Sequence, residues 1–150
     1  MGEIIRKPTG DATVQWNIQP GTPPTHYDKI DEAWSVANTS DYIHETVNAQ
    51  SDYIRFYTPG TATNTVHTVH VDFYINTTNV GQLPGLGVNL YYGGTYVTHR
   101  NYDIDTGGAW WKRRATFTGL SLTPAQFNLL RVRFATRAGS GVGPYPEVVE

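Results

Sequence analysis

"TVHTVHVDFYINT", residues 65–77, alternates along its length. Val69, Val71, Phe73 and Ile75 fall on one side of an extended chain, and Thr68, His70, Asp72 and Tyr74 on the other. A period of two marks a strand with one buried face, because successive side chains point to opposite sides of a sheet. The apolar side is β-branched and aromatic, which suits a pleated surface. This segment is expected to be a strand with its Val/Phe/Ile side in a core.

Working outward, the same signature returns between turn signals. "VNLYYGGTYVTHRNYDI" (88–104) reads as a hairpin of two alternating runs around Gly93-Gly94, a pair that tolerates positive φ. "AWWKRRATFTGL" (109–120) reads as a long strand, and "LRVRFATR" (130–137) as the last one, with Leu130, Val132 and Phe134 facing in. Between them "TPAQFNLL" (123–130) carries a helix start, Thr123 as N-cap and Pro124 at the first helical position, for one turn or two. Upstream, "ATVQWNI" (12–18) alternates as a strand with Val14, Trp16 and Ile18 on one side. The stretch 19–28 holds three prolines and a glycine and forbids regular structure, and 27–34 is a short strand or turn. Residues 59–64, 78–87 and 105–108 read as turns and loops.

One tetrapeptide occurs twice: Ser40-Asp41-Tyr42-Ile43 returns as Ser51-Asp52-Tyr53-Ile54. On an extended chain Asp and Tyr point to opposite sides, so the motif does not gather them into one site. The copies also diverge beyond it, Glu45 in the first standing where Phe56 stands in the second. Each copy reads as a turn into a strand, and the two strands together as a hairpin.

The count is about eight short strands with almost no helix, which is the pattern of an all-β domain. The expected fold is a two-sheet antiparallel β-sandwich, jelly-roll-like. It spans residues 11–138, with an extended N-terminal arm at 1–10 and a Gly/Pro-rich C-terminal tail at 139–150. Composition agrees: 150 residues make one domain, and charged residues are only 16% while Gly, Pro and Tyr number 15, 9 and 10. A net charge of -2 gives no global attraction to nucleic acid or an acidic membrane. With no cysteine there is no disulfide or thiolate site. No apolar run is long enough for a transmembrane helix, and the N-terminal stretch lacks the apolar region of a secretory signal.

Residues that carry chemistry are sparse. His67 and His70 form an H-x-x-H, but three residues apart on a strand they face opposite ways. Asn101, Asp103 and Asp105 echo the start of a calcium loop, yet Lys112 stands where the bidentate Glu belongs. No nucleophile has a recognisable base, the 13 Asp and Glu are scattered, and the glycine pairs run into strands where a phosphate loop needs a helix start. The expectation is a protein that binds, with no catalytic set, cofactor or metal.

Aromatic and basic residues are the candidates for that binding. Trp110 and Trp111 are adjacent on a strand and face opposite sides. Tyr91, Tyr92, Tyr96 and Tyr102 lie on the preceding hairpin. Such rings fill a core, stack sugars, or build a protein interface. Lys112, Arg113 and Arg114, with Arg131, Arg133 and Arg137, make a basic strip on an outer face if their two strands are neighbours. The expected interface draws on Ile4, Ile5, Trp110, Trp111, Lys112, Arg114, Arg131, Arg133 and Tyr145.

The order "GDATVQW", "YDKIDE", "SDYIHE", "HTVHVDFYI" and "GAWWKRRATFTGLSLTPAQFNLLRVRFAT" resembles a group of small β-sandwich virion proteins of tailed phages. The likeness runs over residues 10–137 and rests on Asp11, Trp16, Ile30, Asp31, Glu32, Asp41, Tyr42, Ile43, Leu122, Leu130, Val132, Arg133 and Phe134. Its motifs are structural, and the proline-rich loop at 19–24 and both ends depart from it. The resemblance implies a capsid decoration (cement) protein on the outside of a virion assembled in the host cytoplasm. Its implied partner is the major capsid protein, and a symmetric homo-oligomer such as a trimer is expected. Neither nucleic acid nor membrane is an expected partner. A carbohydrate-binding module, or a glycan-binding tail or fibre domain, is the alternative.

Overall fold

A computed structural model describes residues 9–13, 17–19, 42–44, 51–55, 62–76, 85–104, 108–137 and 147–149. Among these residues ten strands and one short helix follow one another: β1 (Gly10–Thr13), β2 (Asn17–Gln19), β3 (Tyr42–His44), β4 (Ser51–Arg55), β5 (Val69–Asn76), β6 (Gly85–Tyr92), β7 (Thr95–Asp103), β8 (Trp111–Phe117), α1 (Pro124–Asn128), β9 (Leu130–Arg137) and β10 (Glu147–Val149). They form two five-stranded sheets, ordered β1-β4-β9-β6-β7 and β2-β3-β10-β5-β8, and every pair is antiparallel. The fold is all-β, as expected.

Renumbering β3 to β10 as one to eight, the sheets read 1-8-3-6 and 2-7-4-5, with β2 and β1 added at one end of each. That is jelly-roll order, in which successive strands alternate between sheets except for one hairpin. β6 and β7 are that hairpin, turning on Gly93 (φ 54°) and Gly94 (φ 96°), the two residues the sequence marks for it.

The alternation of 69–75 is seen directly. Val69, Val71, Phe73 and Ile75 are buried, and they share one core with Leu86, Val88 and Leu90 of β6, Ala115 and Phe117 of β8, and Leu130, Val132 and Phe134 of β9. Phe73 of the second sheet meets Phe134 and Tyr102 of the first edge to face, with centroids 5.7 and 6.1 Å apart. These contacts join residues of the two sheets in one core. Each side chain so buried contributes about 1.5–3 kcal/mol, which outweighs any single surface contact.

The helix also starts as expected. Thr123 Oγ1 accepts from the Gln126 N–H at 3.3 Å, and the Gln126 side chain accepts from the Thr123 N–H at 2.9 Å, a capping box with Pro124 at the helix start. Phe127 is buried, and the Leu129 carbonyl accepts from the Gly93 N–H at 3.2 Å, which ties the helix end to the hairpin tip.

Five expectations are corrected. The two SDYI copies are not a hairpin: β3 pairs with β2 and β10 in one sheet, and β4 with β1 and β9 in the other. "ATVQWNI" is not one strand, because β1 and β2 belong to different sheets and the β1 register slips between Asp11 and Thr13. The loop read at 78–87 gives way to β6 from Gly85, and the strand at 109–120 shortens to Trp111–Phe117. Within the stretch read as a tail, 147–149 is a strand between β3 and β5, so both its edges are filled by its own sheet.

Candidate functional site

Those of the expected interface residues that are described do not converge on one patch. Ile4, Ile5 and Tyr145 lie outside the described residues. The basic strip is divided, because β8 is the edge strand of the second sheet while β9 is the centre of the first. Lys112 and Arg114 therefore belong to one face and Arg131 and Arg133 to the other. The strip required the two strands to be neighbours, and the jelly-roll order separates them.

On the second sheet, Lys112 and Arg114 alternate onto the outer face, opposite Tyr74 and Asp72 of β5. Both are engaged there. Lys112 Nζ lies 5.6 Å from the centroid of the Tyr74 ring, and Arg114 forms a two-pronged pair with Asp72 at 2.5 and 2.6 Å. These contacts hold β8 against β5. An exposed pair of this kind contributes about 1 kcal/mol or less, so its role is register more than stability. Trp110 is half-buried and Trp111 exposed, so Trp111 is the more open of the two.

The outer face of the first sheet carries an ordered grid. Alternation of β9 puts Arg131, Arg133 and Ala135 on the side away from the buried Leu130, Val132 and Phe134. Antiparallel register sets Tyr91 beside Arg131, Asn89 beside Arg133 and Gly87 beside Ala135. One strand further out come Tyr96, His99 and Asn101. The rows thus read Arg131–Tyr91–Tyr96, Arg133–Asn89–His99 and Ala135–Gly87–Asn101. Tyr96 and His99 are three apart and ought to face opposite ways. A bulge puts them on one face: Leu90 pairs Thr98 but Tyr91 pairs Tyr96, leaving Val97 as the extra residue.

Contacts fix the grid. Tyr91 and Tyr96 meet edge to face at 5.6 Å, the Tyr96 hydroxyl bonds His99 Nδ1 at 2.5 Å, and Asn89 Nδ2 donates to the Arg133 carbonyl at 3.4 Å. Tyr96 is 50% exposed. The tyrosine row expected from the hairpin therefore divides. Tyr91 and Tyr96 line the outer grid, while Tyr92 and Tyr102 pack against the core.

A second feature sits at one flank, where both sheets end. β7 and β8 are edge strands, and each turns an arginine to its core side. Arg113 stands opposite the fully buried Phe73 in register, and Arg100 opposite the fully buried Val88. Arg113 Cζ lies 4.7 Å above the Trp111 ring and Arg100 Cζ 5.4 Å from the Phe117 ring. Such a contact contributes about 0.5–1 kcal/mol at an exposed site. Tyr102 is the phenol between them: burial pushes its pKa up, and the Arg100 and Arg113 charges pull it back down. The expected interface omitted both arginines. Arg113 is legible, since it alternates with Ala115 and Phe117. Arg100 is not, because the Val97 bulge changes the phase of β7.

The two histidines of the H-x-x-H are used separately. His67 Nδ1 bonds the Leu120 carbonyl at 2.9 Å and His70 Nδ1 the Thr116 hydroxyl at 3.0 Å. Asp105 of the calcium-like run lies outside the described residues. Among the described residues no three His, Asp or Glu are grouped to hold a metal ion, and no helix is long and apolar enough to cross a membrane. Compared with known proteins, the chain matches no family profile, no curated protein and no solved structure.

Proposed function

We propose that this chain is a non-enzymatic structural protein of a virion, attaching to the outside of a phage capsid as a decoration protein. One observation carries the attachment surface: the Arg131–Tyr91–Tyr96 and Arg133–Asn89–His99 rows on the outer face of the first sheet. Tyr and Arg are the residues that concentrate binding energy at protein interfaces, since each offers large contact area and a hydrogen-bonding end. Held by the sheet and by their mutual contacts, they lose little side-chain freedom on docking. The placement on a capsid rests on the resemblance of the sequence to phage virion proteins. The partner is the major capsid protein, and a homo-oligomer, a trimer first, matches the symmetry of such lattices.

The test is co-sedimentation of purified protein with undecorated phage particles. Tyr96→Ala and Arg131→Glu each lower occupancy about tenfold or more while the circular dichroism spectrum is unchanged. Arg114→Ala, whose partner Asp72 lies on the other sheet, leaves it intact. Unchanged binding by both grid variants sinks the proposed surface.

The half-exposed ring of Tyr96 favours a second reading, a glycan-binding module. Tyr91 and Tyr96 lie 72° apart in plane and form no flat platform, and Arg113 already covers one face of Trp111. A glycan array probed with wild-type protein decides it: a signal abolished by Tyr96→Ala establishes the sugar reading, and a blank array removes it.

A further inference from the structure

The flank between β7 and β8 has three properties that one occupant explains. Both strands end their sheets, so among the described residues no strand pairs with the outer edge of either. Each presents an arginine on its core side, Arg100 and Arg113. Among the described residues neither has a carboxylate partner: Arg100 donates to the His99 carbonyl at 2.9 Å and lies by Phe117, and Arg113 lies over Trp111. The contrast is with Arg114, one residue on, whose carboxylate Asp72 is built into the sheet.

Two guanidinium groups on the core side of one flank, one exposed and one half-buried, repel each other. A carboxylate placed between them offsets that repulsion and accepts from both. An added β-strand supplies carboxylates at the right places, because every second side chain of such a strand points to the core side. The same charges repel the like edge of another copy, so the flank is closed to self-pairing and open to an acidic strand.

We propose that this flank binds an extended acidic segment of a partner protein, which adds as a strand along β8 and places a carboxylate against Arg113 and Arg100. The site is separate from the outer grid and does not depend on the capsid reading. A guanidinium fork takes a carboxylate with two parallel bonds, and the outer edge of β8, along which no described strand pairs, supplies the backbone bonds. A small anion would use only the first of these.

The probe is a short synthetic peptide in which glutamates alternate with threonines, titrated into the full chain. The readouts are the Arg Nε–Hε and backbone amide resonances. Shifts are expected at Arg100, Arg113 and the β8 amides, with affinity falling about tenfold in Arg113→Gln and in Arg100→Gln and unchanged in Arg114→Gln. Should a glutamine variant fail to fold, Arg113→Lys keeps the charge, loses the fork and weakens binding less than removal of the charge. Three results overturn the proposal: equal binding of a glutamine-threonine peptide, equal response to sulfate alone, or shifts confined to Arg131 and Arg133. Failure of the capsid assay leaves this titration unaffected, so the two readings fall separately.

Discussion

Tyr102 shows how a single position joins core and flank. Its ring packs edge to face on Phe73, while its hydroxyl shares the rim with two arginines. Burial disfavours the phenolate more than the arginines favour it, so the pKa stands above the ordinary tyrosine value of about 10. The sign for stability follows. Below that value both the folded and unfolded forms are protonated and the folded state keeps its full stability. Above it the unfolded chain ionises first, and stability falls until the pH passes the folded pKa. Ultraviolet titration of wild type should show a late tyrosine ionisation that Tyr102→Phe removes. Arg113→Gln should move it later still, because a charge that lowers the pKa is gone. At this scale the sequence was half readable. Alternation alone puts Arg113 on the core side, whereas nothing in "TYVTHRNYD" announces the bulge that settles where Tyr96, His99 and Arg100 face.

Elements whose signals are local were legible, and those set by distant pairing were not. The helix start at Thr123-Pro124, the Gly93-Gly94 turn and the alternation of β5 each depend on residues a few positions apart, and each is found where the sequence puts it. Thr123→Ala should cost about 1 kcal/mol, since it removes the side-chain acceptor for the Gln126 N–H. Urea denaturation measures this as a lower midpoint at unchanged slope. Gly94→Ala should also destabilise, by about 1 kcal/mol or more, through its backbone angle of φ 96° and not through crowding, because nothing lies within 4 Å of the added carbon. The SDYI copies were misread for the opposite reason. Two short strands joined by a few residues look like a hairpin, and the jelly-roll path sends them to different sheets where each finds older and later strands as partners.

At the scale of the whole molecule, the last described strand decides how the fold closes. β10 lies between β3 and β5, its Val148 in register with both Ile43 and Ile75, so chain segments from near the start and the middle meet across residues from the end. Such closure joins strands far apart in sequence, and no local pattern in "GPYPEVVE" distinguishes a central strand from an extended tail. This is why the all-β class was readable from strand count and turn spacing while the order of strands was not. The consequence is testable by truncation. Removing residues 147–150 deletes the link between β2-β3 and β5-β8, which leaves two facing edges unpaired in the middle of a sheet. A free tail would be lost without effect on folding, and a central strand would not. The truncated chain should therefore lose its cooperative thermal transition or show a midpoint lowered by ten degrees or so, the shift that about 2–3 kcal/mol makes in a domain of this size. Adding the excised segment back as a separate peptide should restore the transition, because the slot between β3 and β5 takes it in the same antiparallel register. A truncated protein that melts at the wild-type temperature would show that β10 closes nothing.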